Sequence, residues 1–229
     1  MLIKGFQKTT LLDFPGRVAA TVFTCGCNFR CPFCHNASLV THIDSDDMFS
    51  EAEIFSYLKK RKGILDGVCI TGGEPLLQKD IAEFCRKIKE IDLEVKLDTN
   101  GSFPYALQTL IEEGLVDYVA MDIKNCKEHY AETCGITEMP KGIEESISIL
   151  KASAVPFEFR TTVTKEFHDE YRLSALAAWI GDVPRYFLQC FTDSGDLIEE
   201  GLSAYTEAEM HQLLNAVRIY TPNAQLRGI

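Results

Sequence analysis

Cys27-Asn28-Phe29-Arg30-Cys31-Pro32-Phe33-Cys34-His35 carries three thiols within eight residues, at C-x3-C-x2-C spacing. The apolar run Ala19-Ala20-Thr21-Val22-Phe23 lies just before it. That run reads as a strand, and the thiols as the loop at its carboxyl end. One short loop does not aim three thiolates at one place unless a metal or a cluster gathers them. A cubane iron–sulfur cluster normally takes four thiolates. Three would leave one iron open to a small molecule, and an open coordination position marks a catalytic centre rather than a structural one.

Three alternatives compete. Zinc with His35 as a fourth ligand is weakened because zinc sites commonly carry two separated pairs, and no second C-x2-C pair occurs in the chain. A dithiol built on Cys31-Pro-Phe-Cys34 leaves Cys27 without a use. Disulfides suit an oxidising compartment, and the sequence reads as cytoplasmic. Of the other cysteines, Cys25, Cys69, Cys85, Cys126, Cys134 and Cys190 are scattered and read mostly as small buried hydrophobes. Cys126 and Cys134 lack partners at the spacing a second cluster needs.

Composition narrows the setting. The 229 residues suit one domain spanning 1–229, with the cluster loop at 25–36 and a C-terminal helix near 206–220. Lys plus Arg number 23 against 34 Asp plus Glu, a net charge of −11, so no nucleic-acid footprint and no attraction to anionic membranes are expected. The first ten residues contain no secretory signal, and nothing approaches the roughly 20 apolar residues of a spanning helix.

Beyond the loop the pattern alternates. Strands are expected at Ala19–Thr24, Gly67–Thr71, Leu93–Asp98, Tyr118–Asp122, Phe157–Val163 and Tyr186–Cys190. Helices are expected at Ser50–Lys62, Gln78–Ile91, Pro104–Glu113, Ile143–Ala152, Tyr171–Ile180 and Thr206–Tyr220. Such alternation predicts an α/β fold, an open, partial (βα)6 TIM-like barrel with parallel strands. Thr192–Ala204 reads as the least regular interior stretch.

In parallel α/β folds the site lies at the carboxyl ends of the strands. There the sequence places Gly72-Gly73-Glu74-Pro75, Asp98-Thr99-Asn100-Gly101 and Asp122-Ile123-Lys124. The strand Phe157–Val163 alternates apolar residues with Glu158, Arg160 and Thr162, although a strand covered on both faces should be apolar throughout. A polar inner face fits a barrel holding a charged ligand; the competing reading is a solvent-facing edge.

Taken together, these motifs resemble the radical S-adenosylmethionine (radical SAM) superfamily, whose signature is the three-cysteine spacing and whose second motif matches Gly72-Gly73-Glu74-Pro75. Within it the chain is similar to the small glycyl-radical activases, on Lys8-Thr-Thr-Leu-Leu-Asp-Phe-Pro-Gly16, Cys34-His35-Asn36 and the aspartate motifs. It most resembles anaerobic ribonucleoside-triphosphate reductase activating proteins, then pyruvate formate-lyase activating enzymes. The likeness runs from about Gly5 to Gly228.

That resemblance implies a [4Fe–4S] cluster on Cys27, Cys31 and Cys34, with S-adenosylmethionine on the open iron. Reductive cleavage would release methionine and a 5′-deoxyadenosyl radical, which takes a hydrogen atom from a glycine of a partner enzyme. A flavodoxin- or ferredoxin-type reductant would supply the electron. By the same resemblance Gly72, Gly73 and Glu74 meet the methionine amino group, and Phe33, Cys34 and His35 lie against the adenine. Asp98, Asn100 and Lys124 lie near the ribose and carboxylate, and Arg160 is a second candidate for the carboxylate. Asp98 and Asp122 suggest a monovalent cation. Against this stand an Asx-turn for Asp98 and a surface salt bridge for Lys124. One departure is that Leu188-Gln189-Cys190-Phe191 lacks the histidine of the pyruvate formate-lyase group, where Gln189 is the substitute. The small-molecule alternative is a deazapurine synthase such as a 7-carboxy-7-deazaguanine synthase, which would need a hydrogen-bonding pocket inside the barrel.

Overall fold

The computed structural model describes residues 1–43 and 48–229. Eight strands form one sheet in the order β1 to β8: Ile3–Thr10, Ala19–Thr24, Gly67–Gly72, Glu94–Thr99, Tyr118–Asp122, Phe157–Val163, Tyr186–Cys190 and Ala224–Arg227. Strand β1 runs antiparallel to β2, and every later pairing is parallel. Because β8 does not pair back to β1, the barrel stays open. All six expected strands are present; β1 and β8 widen the expected six-strand barrel to eight.

Helices α2 (Glu51–Lys60), α3 (Ile81–Lys89), α4 (Pro104–Glu112), α6 (Gly142–Ala152), α7 (Glu170–Ile180) and α8 (Glu207–Val217) cover the outside. The short α1 (Ala37–Thr41) and α5 (Tyr130–Cys134) sit near the cluster loop. Capping boxes at Ser50/Glu53 and Thr206/Glu209 start α2 and α8 by satisfying orphan amides in both directions. On the helix-facing side of the sheet Val68, Ile70, Val95, Leu97, Val119, Met121 and Phe159 are all fully buried.

The barrel interior is polar instead. Glu158, 1% exposed, accepts from Tyr118 Oη at 2.9 Å and from Arg227 Nη1 at 2.8 Å. The solvent-edge reading of Glu158 and Arg160 is therefore wrong: β6 lies between β5 and β7, and both side chains point into the barrel's charge network. A buried charge survives there because it is paired and hydrogen-bonded. The opposite end is stoppered after β1, where Phe14 packs near Tyr118 with ring centroids 6.2 Å apart. The whole opening is thus left to the carboxyl ends of the strands.

Candidate active site

One cavity opens at those carboxyl ends. Its lining includes Cys27, Cys31, Phe33, Cys34 and His35 after β2, Gly72 and Gly73 after β3, and Asp98 and Asn100 on β4 and its exit. Asp122 and Lys124 join from β5, and Arg160 from β6. Every expected site residue except Glu74 lines it. It also takes in Phe29, Asn36, Val40, Thr71, Thr99, Thr162 and Gln189, of which Asn36 and Thr99 stand in the quoted motifs, Thr162 on the polar face of its strand and Gln189 where the histidine is missing.

The cysteine loop is held from several sides. Arg30 Nη1 donates to the carbonyls of Cys27 at 2.7 Å and Phe29 at 2.8 Å, and the Arg30 amide donates to Cys134 O at 2.8 Å. Gln78 Nε2 donates to Cys25 O at 2.8 Å, and the Glu74 amide donates to Gly26 O at 2.8 Å. Asn36 Nδ2 donates to Gly72 O at 3.2 Å, tying the loop's far end to the glycine ridge. The irregular stretch after β7 folds back on this loop: the Glu199 amide reaches Pro32 O at 3.1 Å, and Asp196 accepts from Ser38 Oγ at 2.8 Å.

The glycine pair is there for contact distance. At Gly72 (φ +113°) a Cβ would run into the backbone of Thr24, and at Gly73 into the Gly26 carbonyl. Only glycine lets the β3 exit lie flat on the β2 exit.

Glu74 is the expected residue that faces away from the cavity. It is fully buried, and its carboxylate accepts from the Leu76 amide at 3.0 Å, Thr99 Oγ1 at 2.8 Å and the Asn100 amide at 2.6 Å. It clamps the β3 exit to the β4 exit. Burial pushes its pKa up to about 7, against the pull of these three donors. A carboxyl raised from 4.5 in the unfolded chain to about 7 in the folded one binds more protons when folded. Its contribution to stability is therefore full below about pH 4.5 and is lost as pH rises towards 7, a swing of up to about 3 kcal/mol. Glu74→Gln, the neutral isostere of the protonated carboxyl that prevails at pH 5, should lie within about 1 kcal/mol of wild type there. Wild type should then lose stability relative to the variant as pH rises to 7.5. Denaturant midpoints at the two pH values test this, and parallel profiles would exclude the assigned role.

Above the clamp lies a charge network. Arg160 Nη1 donates to Asp98 Oδ2 at 3.1 Å and Arg160 Nε to Asp122 Oδ1 at 2.8 Å. Lys96, only 2% exposed, pairs with Asp98 from below, and Lys124 pairs with Asp122 at 3.1 Å. Burial alone would raise the aspartates, yet Arg160 with Lys96 holds Asp98 low and Arg160 with Lys124 holds Asp122 low. Burial would likewise lower Lys124, but Asp122 and the Cys31 thiol keep it charged. Three cations against two carboxylates leave a surplus of one positive charge facing the cavity. That surplus suits an anionic ligand group. It also means that Asp98 and Asp122 are already neutralised by side chains, so the expected monovalent cation finds no unpaired carboxylate there. Lys124, 16% exposed at its side chain, is no surface pair. Its carbonyl accepts from His168 Nε2 at 2.8 Å, an anchor without any signal in the sequence.

The donor set can be tested against the implied group. Among the described residues no three His, Cys, Asp or Glu side chains converge closely enough for a single metal ion. A cubane binds its thiolates on separate irons and needs no such convergence. Burial raises Cys27 to about 12 and lifts Cys34 as well, whereas the neighbouring Cys134 lowers Cys31. His35 lines the cavity beside Phe191, centroids 5.7 Å apart, and its buried Nε2 has no partner among the described residues. The chemistry of the donors fits a cluster with a small polar ligand beside it.

A partial α/β barrel that carries three loop cysteines, a glycine ridge and a cationic rim at one mouth defines an enzyme class that works a small ligand against a loop-borne cluster. Residues 21–177 match the family model described as Radical SAM superfamily. The chain belongs to that superfamily, whose cofactors are a [4Fe–4S] cluster and S-adenosylmethionine. It is 32% identical over 235 residues to a candidate glycyl-radical enzyme activating enzyme of Methanocaldococcus jannaschii, covering 100% of this chain and 96% of that one. A GTP 3′,8-cyclase of Helicobacter pylori is 28% identical over 77% of this chain, which spans 54% of the cyclase. Among solved structures, SuiB of Streptococcus suis bound to S-adenosylmethionine shares the fold, with a TM-score of 0.69 at 15% identity over 90% of this chain and 49% of that one.

Proposed function

We propose that this chain is a glycyl-radical activase, with an anaerobic ribonucleotide reductase as its expected partner. The observation that carries the reading is the end-to-end similarity to the Methanocaldococcus protein, at nearly equal length. When bound, the cluster and S-adenosylmethionine supply one-electron cleavage of the cofactor's carbon–sulfur bond and hence a hydrogen-abstracting radical.

The chain's own residues hold and orient. Cys27, Cys31 and Cys34 are the cluster ligands. Gly72 and Gly73 let backbone approach the methionine amino group, and Lys124 with Arg160 meets its carboxylate. His35 and the neighbouring backbone of Phe33 and Cys34 receive the adenine, while Asp98, Asn100 and Asp122 frame the ribose side. Burial of the thiols and of the charge network keeps water from the reacting end of the ligand. The reductant is of the flavodoxin or ferredoxin class, and the setting is the cytoplasm; among the described residues no helix is long and apolar enough to cross a membrane.

Lys124→Met should raise the apparent KM for S-adenosylmethionine about 10- to 100-fold, the value of one charge-assisted hydrogen bond, and leave bound iron unchanged. Loss of iron instead would contradict the assigned role. The activase reading itself is tested by mixing the reduced holoprotein and S-adenosylmethionine with candidate partners. A glycyl-radical doublet in electron paramagnetic resonance supports it; no doublet with any glycyl-radical enzyme, alongside turnover of a nucleotide, would favour the small-molecule reading. Cyclase relatives give that second reading its footing, over 61% of this chain in Sulfurisphaera tokodaii and 77% in Helicobacter pylori.

A further inference from the structure

A side chain from outside the cysteine loop reaches a ligand sulfur. Asn100 Nδ2 lies 3.7 Å from Cys27 Sγ and 2.9 Å from Asn28 Oδ1. Its orientation is not ambiguous. Asn100 Oδ1 accepts from the Ser102 amide at 2.9 Å and from Ser102 Oγ at 2.6 Å, while Asn28 Nδ2 donates to Ser102 Oγ at 2.9 Å. This closed ring forces the amide's two N–H groups towards Asn28 and Cys27. The Asn100 backbone is itself clamped by Glu74 at 2.6 Å. On the other side Cys134, at the end of α5, is fully buried, and its carbonyl accepts from the Arg30 amide at 2.8 Å. Gly135 follows in the left-handed region (φ +61°), and a Cβ there would strike the Arg30 carbonyl, so α5 is seated against the loop.

We propose that Asn100 tunes the cluster's reduction potential by donating an N–H···S hydrogen bond to Cys27. The cluster gains one negative charge when it accepts an electron from the reductant, and part of that charge sits on the thiolate sulfurs. A hydrogen bond to those sulfurs stabilises the reduced form more than the oxidised one and raises the potential. Asn100 is a positioning residue acting through the ligand. This inference rests on the cluster assignment above.

The test is a redox titration of the reconstituted holoprotein, followed by the electron paramagnetic resonance of the reduced cluster. Asn100→Leu should lower the midpoint potential, and Asn100→Asp, which keeps the Ser102 contacts but turns the donor into an anion, should lower it further. If Leu prevents assembly, the Asp variant decides alone. Unshifted potentials in variants that hold wild-type iron would overturn the inference and leave the cluster reading standing. A wild-type protein that assembles no cluster would sink both.

Discussion

Replacing Cys27, Cys31 or Cys34 by alanine is expected to abolish S-adenosylmethionine cleavage, and each variant should lose the [4Fe–4S] signal on reconstitution. Three thiolates seat the cubane in one loop, and among the described residues the cavity lining holds no fourth cysteine. Cys134 is fully buried outside that lining. Cys25 is buried outside the cavity lining and serves as an internal control. Cys25→Ala should keep iron and activity, at about 1 kcal/mol or so of stability, in line with loss of a small buried group. Iron content and 5′-deoxyadenosine yield report the outcome. Full activity in all three ligand variants would refute the assignment.

Gly73→Ala is expected to be nearly as damaging, although it removes no chemical group. The added methyl would fall on the Gly26 carbonyl, which already accepts the Glu74 amide. Neither atom can yield cheaply, because both belong to backbone fixed by neighbouring strands. Relief must come from parting the β3 exit from the β2 exit, and that moves Cys27 relative to the ridge. A displacement near 1 Å at a reacting site costs on the order of 100-fold in rate. The variant should therefore cleave S-adenosylmethionine about 100-fold more slowly and melt several degrees lower. Near-wild-type turnover would mean that the close approach has no part in binding.

Why some of this was readable from the chain and some was not follows from local physics. Strands β2 to β7 announce themselves through β-branched and aromatic runs, and the expected bounds fall within about a residue or two. Strand β1 does not: Ile3-Lys-Gly-Phe-Gln-Lys-Thr-Thr has no clean alternation, and Gly5 is tolerated because its missing side chain leaves room for the Phe23 ring. Strand β8, only four residues long, owes its conformation to pairing with β7. Helices α1 and α5 are too short for periodicity to reveal, and isolated pieces of that length would not form at all. The helix expected from Gln78 begins at Ile81, because Pro75–Leu77 makes a separate 3₁₀ turn and the Gln78 side chain is spent on the cluster loop.

The same division runs through the site. Cysteines, glycines, Asp98, Asp122 and Lys124 stand directly after strands, so position alone marks them. The polar alternation along β6 marks Thr162 and the missing histidine on β7 marks Gln189; both line the cavity because β6 and β7 pair in register there. Glu74 was grouped with the ligand-binding residues because it adjoins the glycines; its carboxylate turns inward to three donors instead. Lys96, His168 and Cys134 reach the site from beneath or behind. His168 and Cys134 would read as ordinary core, because their contacts span tens of residues, and Lys96 as a solvated strand charge although it pairs with Asp98 two residues on.

One corner of the cluster, without a protein ligand, is expected to receive the cofactor's methionine end. Electron–nuclear double resonance on the reduced holoprotein, with S-adenosylmethionine labelled with nitrogen-15 at its amino group, tests this most directly. The label should couple to the cluster, and the coupling should diminish in Lys124→Met. A wild-type cluster that binds the cofactor without any such coupling, or a protein that takes up zinc in place of iron, would contradict that expectation.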